Sequence, residues 1–212
     1  IPEENKIIGY STKNSGGVPE NFKNYFVIQF DKPFTFTSGV KENNILPNET
    51  EVQGNHTGAI IGFATQKGEI VHARVASSFI SYEQAELNLK ELGKDSFDQL
   101  VTKGKDIWNR EMSKVDVEDD NIDNLRPFYS CLYRSMLFPR SFYEIDAKGQ
   151  VVHYSPYNGK VLPGYMFTDN HGTLFIIKDT NCIYYFHKKE GIFKKINVTG
   201  IPISDVITFF FY

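Results

Sequence analysis

The chain has 212 residues, of which 41% are hydrophobic and 15% aromatic, and its formal net charge is -3. Such a composition can form a buried core and excludes a largely disordered protein. The acidic balance argues against a nucleic-acid protein that binds through a basic surface. No apolar run approaches the roughly 18–20 residues of a membrane-spanning helix. The two cysteines, Cys131 and Cys182, predict buried free thiols, although a disulfide stays open.

The first 80 residues predict antiparallel β-structure. Runs rich in aromatic and β-branched residues indicate strands over 6–11, 24–31, 58–65 and 68–80, with a turn ending at Gly68. The polar segment 38–54 predicts a long loop. Several short strands with alternating faces are typical of part of a β-sandwich.

Three helices follow. The first is predicted over 82–92, with Ser81 and Gln84 as a capping box and Gly93 after its last turn. Asp95 or Ser96 caps the second, whose apolar residues share one face. After an acidic linker, the third is predicted to begin at a cap on Asp123, with Pro127 in its first turn and Pro139 ending it. Its apolar stripe runs from Leu125 to Leu137.

The segment after the third helix predicts a β-hairpin over 141–155 that turns at 147–149. The last 42 residues are rich in Phe, Ile, Lys, Asn and Tyr, whose codons are rich in A and T. Strands are predicted over 173–179, 182–188 and 205–212. Two interpretations stay open: a small β tail, or a change of reading frame near Asn170.

Two acidic residues of the hairpin invite a catalytic interpretation. Glu144 and Asp146 lie two apart in a predicted strand, so both would point to one face. Glycoside hydrolysis needs two carboxyl groups on opposite sides of a bond, roughly 5–9.5 Å apart. Neighbours on one strand face do not meet that need, so we interpret them as a solvated hairpin face. Arg140 predicts an ion pair with Glu144 or, alternatively, an anion clamp.

Other aromatic and polar residues are weighed in the same way. We predict that His153 and Tyr154 are structural residues of the hairpin or, alternatively, that they line a sugar site. We predict that Trp108 packs in the core rather than stacking on a sugar, because it lies on the apolar face of the second helix. Asp169 and Asn170 follow an aromatic-rich loop and either bind sugar hydroxyls or cap a turn.

Five segments occur in an order that resembles glycoside hydrolase family 92. They are "YFVIQFDKPF", "GAIIGFATQKGEIVHARVASSFISYEQAELNL", "IWNREMSKVDVE", "FYSCLYRSMLFPRSFYEIDAKGQVVHYS" and "GYMFTDN". The resemblance covers roughly residues 7–170. It implies an α+β chain: residues 1–80 as the end of a β-sandwich, 81–118 as a helical linker, and 119–170 as the start of an (α/α)6-barrel with its β-hairpin, followed by an unrelated or out-of-frame tail over 171–212.

The chain departs from the family after Thr168, Asp169 and Asn170. The family continues with Gly, an aromatic residue and Trp-Asp-Thr, whereas this chain continues with His171 and Gly172. The resemblance makes Thr168, Asp169 and Asn170 the border of the sugar subsite. It implies that the catalytic acid, the catalytic base and the calcium ligands lie further along a longer chain. We therefore expect no catalytic residue and no calcium in this one.

The resemblance predicts a fragment of a calcium-dependent, inverting α-mannosidase of the α-1,2 type, inactive in truncated form, that takes part in N-glycan processing. Its partner would be a mannose-containing glycan, with no nucleic acid, and its location the periplasm or the outside of the cell. The chain begins at Ile1 without a signal segment, which indicates a trimmed form or a fragment. The uncovered stripe of the third helix predicts self-association.

Two alternatives remain open. One is a non-catalytic carbohydrate-binding or interaction module. The other is a complete small protein in which the last 42 residues pair with strands of residues 24–80.

Overall fold

The computed structural model describes residues 1–13, 21–137, 140–155, 159–168, 174–179, 182–187 and 192–197. The chain divides into two compact units, Ile1–Glu91 and Leu92–Tyr212. We call them the N-terminal unit and the C-terminal unit.

The N-terminal unit contains two three-stranded antiparallel sheets. The first has the order β1-β2-β6 and the second the order β4-β3-β5. Their strands are β1 (Lys6–Ser11), β2 (Asn24–Phe30), β3 (Phe36–Lys41), β4 (Asn44–Pro47), β5 (Thr57–Gly62) and β6 (Ala73–Ser78).

An aromatic cluster joins the ends of the two sheets. Phe30 ends β2 and Phe63 follows β5, and their ring centroids lie 5.3 Å apart. Phe34 packs against both rings at 5.5 and 5.6 Å. Val27, in the middle of β2, is fully buried. Two antiparallel sheets connected by an apolar cluster agree with the predicted part of a β-sandwich.

Helix α1 (Tyr82–Leu89) belongs to the N-terminal unit, where it packs on β6 and β2. The Oγ of Ser81 accepts a hydrogen bond from the backbone N–H of Gln84 at 3.2 Å, which confirms half of the predicted capping box. The amide of Gln84 donates instead to Asn88, whose own amide donates to the carbonyl of Ser77. The helix is thus tied to β6 by polar side chains, and a short 3-10 turn continues it to Leu92.

The C-terminal unit begins with α2 (Phe97–Met112) and α3 (Ile122–Ser135). Ser96 caps α2 in a complete capping box with Gln99. Asn121 caps α3, so the predicted cap on Asp123 is wrong. Several Asp and Asn residues could cap the helix here. The side-chain oxygen of Asn121 does so, because it accepts a hydrogen bond from the N–H of Asp123 at 3.0 Å. Pro127 therefore lies inside the helix rather than in its first turn.

Neither α2 nor α3 has a fully buried residue. For this reason Cys131 of α3 is a free and exposed thiol, and its predicted burial is wrong. The side chain of Cys182 lies outside the described residues. The apolar stripe predicted for α3 is partly exposed: Phe128, Tyr133 and Leu137 are exposed, whereas Leu125, Tyr129, Leu132 and Met136 are half-buried.

Two further sheets complete the C-terminal unit. One has the order β10-β9-β8 and the other the order β14-β13-β12-β11-β7. Their strands are β7 (Arg140–Ser141), β8 (Tyr143–Ile145), β9 (Val151–Ser155), β10 (Lys160–Pro163), β11 (Tyr165–Thr168), β12 (Leu174–Asp179), β13 (Cys182–His187) and β14 (Ile192–Asn197). β8 and β9 form the predicted hairpin.

The described strands of the tail extend the five-stranded sheet of the C-terminal unit beyond β11. β12 pairs with β11, β13 with β12, and β14 with β13, each antiparallel. The predicted strands over 173–179 and 182–188 are confirmed, while the one over 205–212 lies outside the described residues. The predicted pairing of the tail with strands of residues 24–80 is wrong for the part that the structure describes.

One loop prediction and one strand prediction in the N-terminal unit are wrong as well. The segment 38–54 is not one loop, because it contains most of β3 and all of β4. The strand predicted over 68–80 is shorter, since only 73–78 pairs with β2. The preceding turn is present, and Gly68 has a φ of 86° there. Among the described residues, no helix combines the length and the apolarity that crossing a membrane requires.

Candidate functional site

The candidate sugar-binding residues begin with the last residue of β11. Thr168 is the last residue of that strand, and it lies opposite Arg140 of β7 on one side and Leu174 of β12 on the other. Directly opposed residues of antiparallel strands project to the same face of a sheet. Arg140 and Thr168 therefore share a face. Asp169 and Asn170 lie outside the described residues.

The strand that carries Thr168 is firmly packed. Met166 and Phe167 are 3% and 1% exposed, respectively. The carbonyl of Met166 accepts a hydrogen bond from the N–H of Phe142 at 2.8 Å. The ring of Tyr165 meets that of Tyr143 edge to face, with centroids 4.8 Å apart. A loop that leaves this strand therefore begins from a fixed point.

The strand begins at a corner formed by Gly164. Gly164 has a φ of 111°, a conformation that favours glycine. Its N–H donates to the carbonyl of Val151 at 2.9 Å. Gly164 and Arg140 were not among the predicted sugar-binding residues. The Pro-Gly pair at 163–164 was the signal for the corner, whereas nothing in the sequence signalled that Arg140 would face Thr168.

His153 does not line an open site. Its side chain is fully buried in β9, and its Nδ1 lies 2.9 Å from the carbonyl oxygen of Gly164. Because a carbonyl only accepts hydrogen bonds, Nδ1 is the donor. The structural interpretation of His153 is confirmed. Tyr154, the next residue of β9, is half-buried.

The two carboxyl groups of the hairpin are not a catalytic pair. Glu144 lies in β8, but that strand ends at Ile145 and Asp146 lies in the turn. The Oδ1 of Asp146 accepts from the N–H groups of Lys148 and Gln150, both at 2.8 Å. Asp146 therefore holds the turn, as aspartate commonly does. The ion pair predicted between Arg140 and Glu144 stays a prediction.

Trp108 is partly exposed rather than buried in a core. Its ring meets that of Tyr133 on α3 edge to face at 4.7 Å, and 37% of the residue is exposed. Beside this contact lies an open cleft of about 360 Å³, which is lined by residues of α2, α3 and their connection: Asn109, Met112, Ser113, Val115, Asp116 and Tyr129.

The carboxyl groups with shifted pKa values among the described residues do not single out a general acid. Such an acid needs a carboxyl group whose pKa is raised. Each carboxyl group with a shifted pKa in the described part of the chain is shifted downward instead. A hydrogen bond from Lys6 lowers the pKa of Glu4, one from His72 that of Asp31, and one from Lys32 that of Glu69.

The described residues also do not fit calcium. This ion takes six to eight oxygen ligands, several of them carboxylates. Among those residues, no group of three or more His, Cys, Asp or Glu side chains is placed to hold a metal ion. No chemical step is therefore assigned to a metal in the described part of the chain.

Two family models match the chain in succession. The glycosyl hydrolase family 92 N-terminal domain matches residues 1–78. The glycosyl hydrolase family 92 catalytic domain matches residues 84–175. The second match includes all three candidate residues and extends into β12. No curated protein matches the chain.

Solved structures show the same relationship. A family GH92 inverting mannosidase from Bacteroides thetaiotaomicron is 43% identical, with a TM-score of 0.74, and the match covers 80% of this chain and 23% of that one. A family GH92 alpha-mannosidase from the same bacterium, in complex with mannoimidazole, is 24% identical, with a TM-score of 0.61, over 78% of this chain and 22% of that one. The second likeness concerns the fold alone.

This chain spans less than a quarter of the length of these two relatives. Its first 78 residues match the N-terminal domain of the family, and residues 84–175 match part of the catalytic domain. The chain belongs to glycosyl hydrolase family 92.

Proposed function

We propose that this chain is part of an inverting α-mannosidase and that by itself it does not hydrolyse glycosides. The observation that carries the proposal is the succession of the two family matches, together with 43% identity to an inverting mannosidase. The whole protein would remove terminal α-linked mannose from a glycan. This chain would supply the N-terminal domain and the beginning of the catalytic domain.

The contribution of this chain to the substrate site would be Thr168, Asp169 and Asn170. A hydroxyl, a carboxylate and an amide together offer both donors and acceptors to sugar hydroxyl groups. The buried side chain of Phe167 supports this role, because it fixes the strand end from which the three residues leave. Arg140, which faces Thr168, would lie at the rim of the same subsite.

The incomplete chemistry follows from what inversion requires. An inverting glycosidase places two carboxyl groups roughly 6.5–9.5 Å apart, so that one protonates the leaving oxygen and the other activates a water molecule. The hairpin pair fails this requirement, since Asp146 is engaged by its own turn. We infer that the acid, the base and the calcium ligands belong to the part of the protein beyond this chain.

The finer properties of the whole protein are proposals of the same kind. They are specificity for α-1,2-linked mannose, a role in N-glycan processing, dependence on calcium, and location in the periplasm or outside the cell. What supports them is the resemblance to the family and the mannosidases of Bacteroides thetaiotaomicron that this chain is similar to.

The subsite proposal is tested by titrating the chain with methyl α-mannoside while recording amide NMR spectra. We expect the amide signals of Thr168 and the residues after it to shift, and an Asp169→Ala variant to lose the response. Methyl α-glucoside is the matched control ligand, and Asp146→Asn the matched control variant, because its amide oxygen can still accept the bonds of the hairpin turn. Equal responses to both sugars, or an unchanged response in Asp169→Ala, would contradict the proposal.

A non-catalytic carbohydrate-binding module is the second candidate. The specific observation in its favour is that the N-terminal unit has its own core around Val27 and the cluster of Phe30, Phe34 and Phe63. The same titration separates the two candidates, because a module of this kind would show its shifted amides in residues 1–91.

The tail offers a further test at the level of the gene. If the reading frame changes near Asn170, another frame of the locus encodes Trp-Asp-Thr and continues for hundreds of codons. If neither of the other frames does, the tail strands β12 to β14 are a native part of the protein, and the second candidate gains support.

A further inference from the structure

We propose that His153 is a positioning residue, which fixes the corner from which β11 starts and thereby the sheet face to which Thr168 projects. This inference rests on the proposed function, because Thr168 is assigned to the sugar subsite. It concerns a residue that neither the family matches nor the solved relatives single out.

The ring of His153 holds the corner from one side. It lies in the middle of β9, where Tyr143 of β8 and Leu162 of β10 are its neighbours in register. Its Nδ1–H donates to the carbonyl of Gly164 at 2.9 Å inside a fully buried site. A buried carbonyl that loses such a donor is costly, so the bond selects one position for the Gly164 peptide.

The backbone of β9 holds the same corner from another point. The N–H of Gly164 donates to the carbonyl of Val151, two residues before His153. Gly164 is thus fixed through both its N–H and its C=O by one strand. Its φ of 111° is a conformation that this pair of bonds maintains at a residue without a side chain.

The corner is separated from Thr168 only by the short strand β11. β11 has four residues, Tyr165–Thr168, and at about 3.3 Å per residue it spans roughly 13 Å. Phe167 and Met166 are buried along it, so the strand has little freedom to absorb a shift at its start. A slip of one residue would turn Thr168 to the opposite face of the sheet. The position of Gly164 therefore determines to which face Thr168 projects.

Two substitutions separate the hydrogen bond from the volume of the ring. In His153→Asn the side-chain NH₂ can take the place of Nδ1–H and donate to Gly164. In His153→Leu an apolar side chain of similar bulk leaves that carbonyl without the donor. Both variants leave the rest of β9 unchanged. A difference between them therefore reports on the hydrogen bond to Gly164.

The experiment is hydrogen exchange of backbone amides in the whole chain, compared between β11 and β13. β13 (Cys182–His187) belongs to the same sheet and is the internal control. We expect His153→Leu to speed exchange in β11 at least tenfold while β13 changes less than threefold. His153→Asn is expected to stay within threefold of the parent chain in both strands.

Two results would overturn the proposal: equal acceleration in β11 and β13, which reports general destabilisation, or unchanged exchange in β11. If the leucine variant does not fold, the asparagine variant decides the question. Because His153→Asn keeps a donor to Gly164, a tenfold faster amide exchange confined to β11 in that variant would contradict the proposal. Exchange is measured without sugar, so this result is independent of the methyl α-mannoside titration. Failure of that titration removes the subsite but leaves the role of His153 at the corner.

Discussion

Two glycines in the strands of the N-terminal unit provide a matched test of its packing. Gly9 of β1 lies directly opposite Phe26 of β2, whose ring covers it. A Cβ at position 9 would lie 2.4 Å from Cζ and 2.7 Å from Cε1 of that ring, distances that real side chains do not adopt. Gly58 of β5 is the control, because a Cβ there would meet only the Cβ of Val40 at 3.8 Å.

The size of the effect follows from two opposing contributions. Forcing an extra methyl group into packed surroundings costs about 1–3 kcal/mol. Replacing glycine by alanine in a strand returns about 0.5–1 kcal/mol. Gly9→Ala should therefore lower the free energy of unfolding by about 1 kcal/mol, within a range of about 0–2.5 kcal/mol. Gly58→Ala should raise it by up to about 1 kcal/mol. In a unit of this size, each kcal/mol shifts Tm by about 4–8 °C.

Thermal and urea unfolding followed by circular dichroism measure both variants. A double-mutant cycle with Phe26→Ala then isolates the clash, since Gly9→Ala should no longer destabilise once the ring is removed. The reasoning is refuted if Gly9→Ala is as stable as Gly58→Ala, or if the cost at position 9 persists without the ring.

Three further predictions concern charge, turn and surface. The imidazole of His72 donates to Asp31 at 2.7 Å and lowers the pKa of that carboxyl group. The stability that ionised Asp31 contributes is therefore complete above the pKa of the unfolded chain, about 3.9. It is lost as the pH falls through the lower pKa of the folded chain. Asp31→Asn should flatten the fall of the urea midpoint below about pH 4; an unchanged slope would contradict this. Asp146→Ala should cost about 1–2 kcal/mol, because the N–H groups of the hairpin turn lose their acceptor, whereas Asp146→Asn should cost less than half of that in the same unfolding assay. The exposed stripe of α3 should make the chain self-associate and bind an apolar dye in light-scattering and fluorescence measurements, and Phe128→Glu should reduce both; a monomeric parent chain without dye binding would rule this out.

The sequence predicted best those elements whose ends are set by local side chains. Ser81 and Ser96 stand one residue before α1 and α2, and both accept the expected backbone N–H. Gly93 has the left-handed φ of 56° that was expected after the first helix. Such caps act within one turn of the chain, so their signal is complete in a few neighbouring residues.

The hairpin of β3 and β4 was missed because its turn carries a weak signal. Glu42 and Asn43 have φ values of 48° and 67°, a conformation for which Asn-Gly or Asp-Gly is the usual signature. Pro47 suggested a loop, yet it ends β4, which pairs only with β3, and proline is tolerated on such an edge strand.

The candidate site shows the same division. The order of segments indicated the loop after Thr168, and the family matches include it. The sequence could not show that Arg140 would face Thr168, nor that His153 would be bonded to Gly164, because these contacts join residues 11 to 28 positions apart through strand pairing.

Hydrolysis of an aryl α-mannoside by the purified chain tests the central claim most directly. The account predicts release of the aryl group at the uncatalysed rate, with and without added calcium, because it assigns the acid, the base and the calcium ligands to the part of the protein beyond this chain. Calcium-dependent turnover by the chain that is abolished in Asp169→Ala would contradict the account, since it would place a complete catalytic site within these 212 residues.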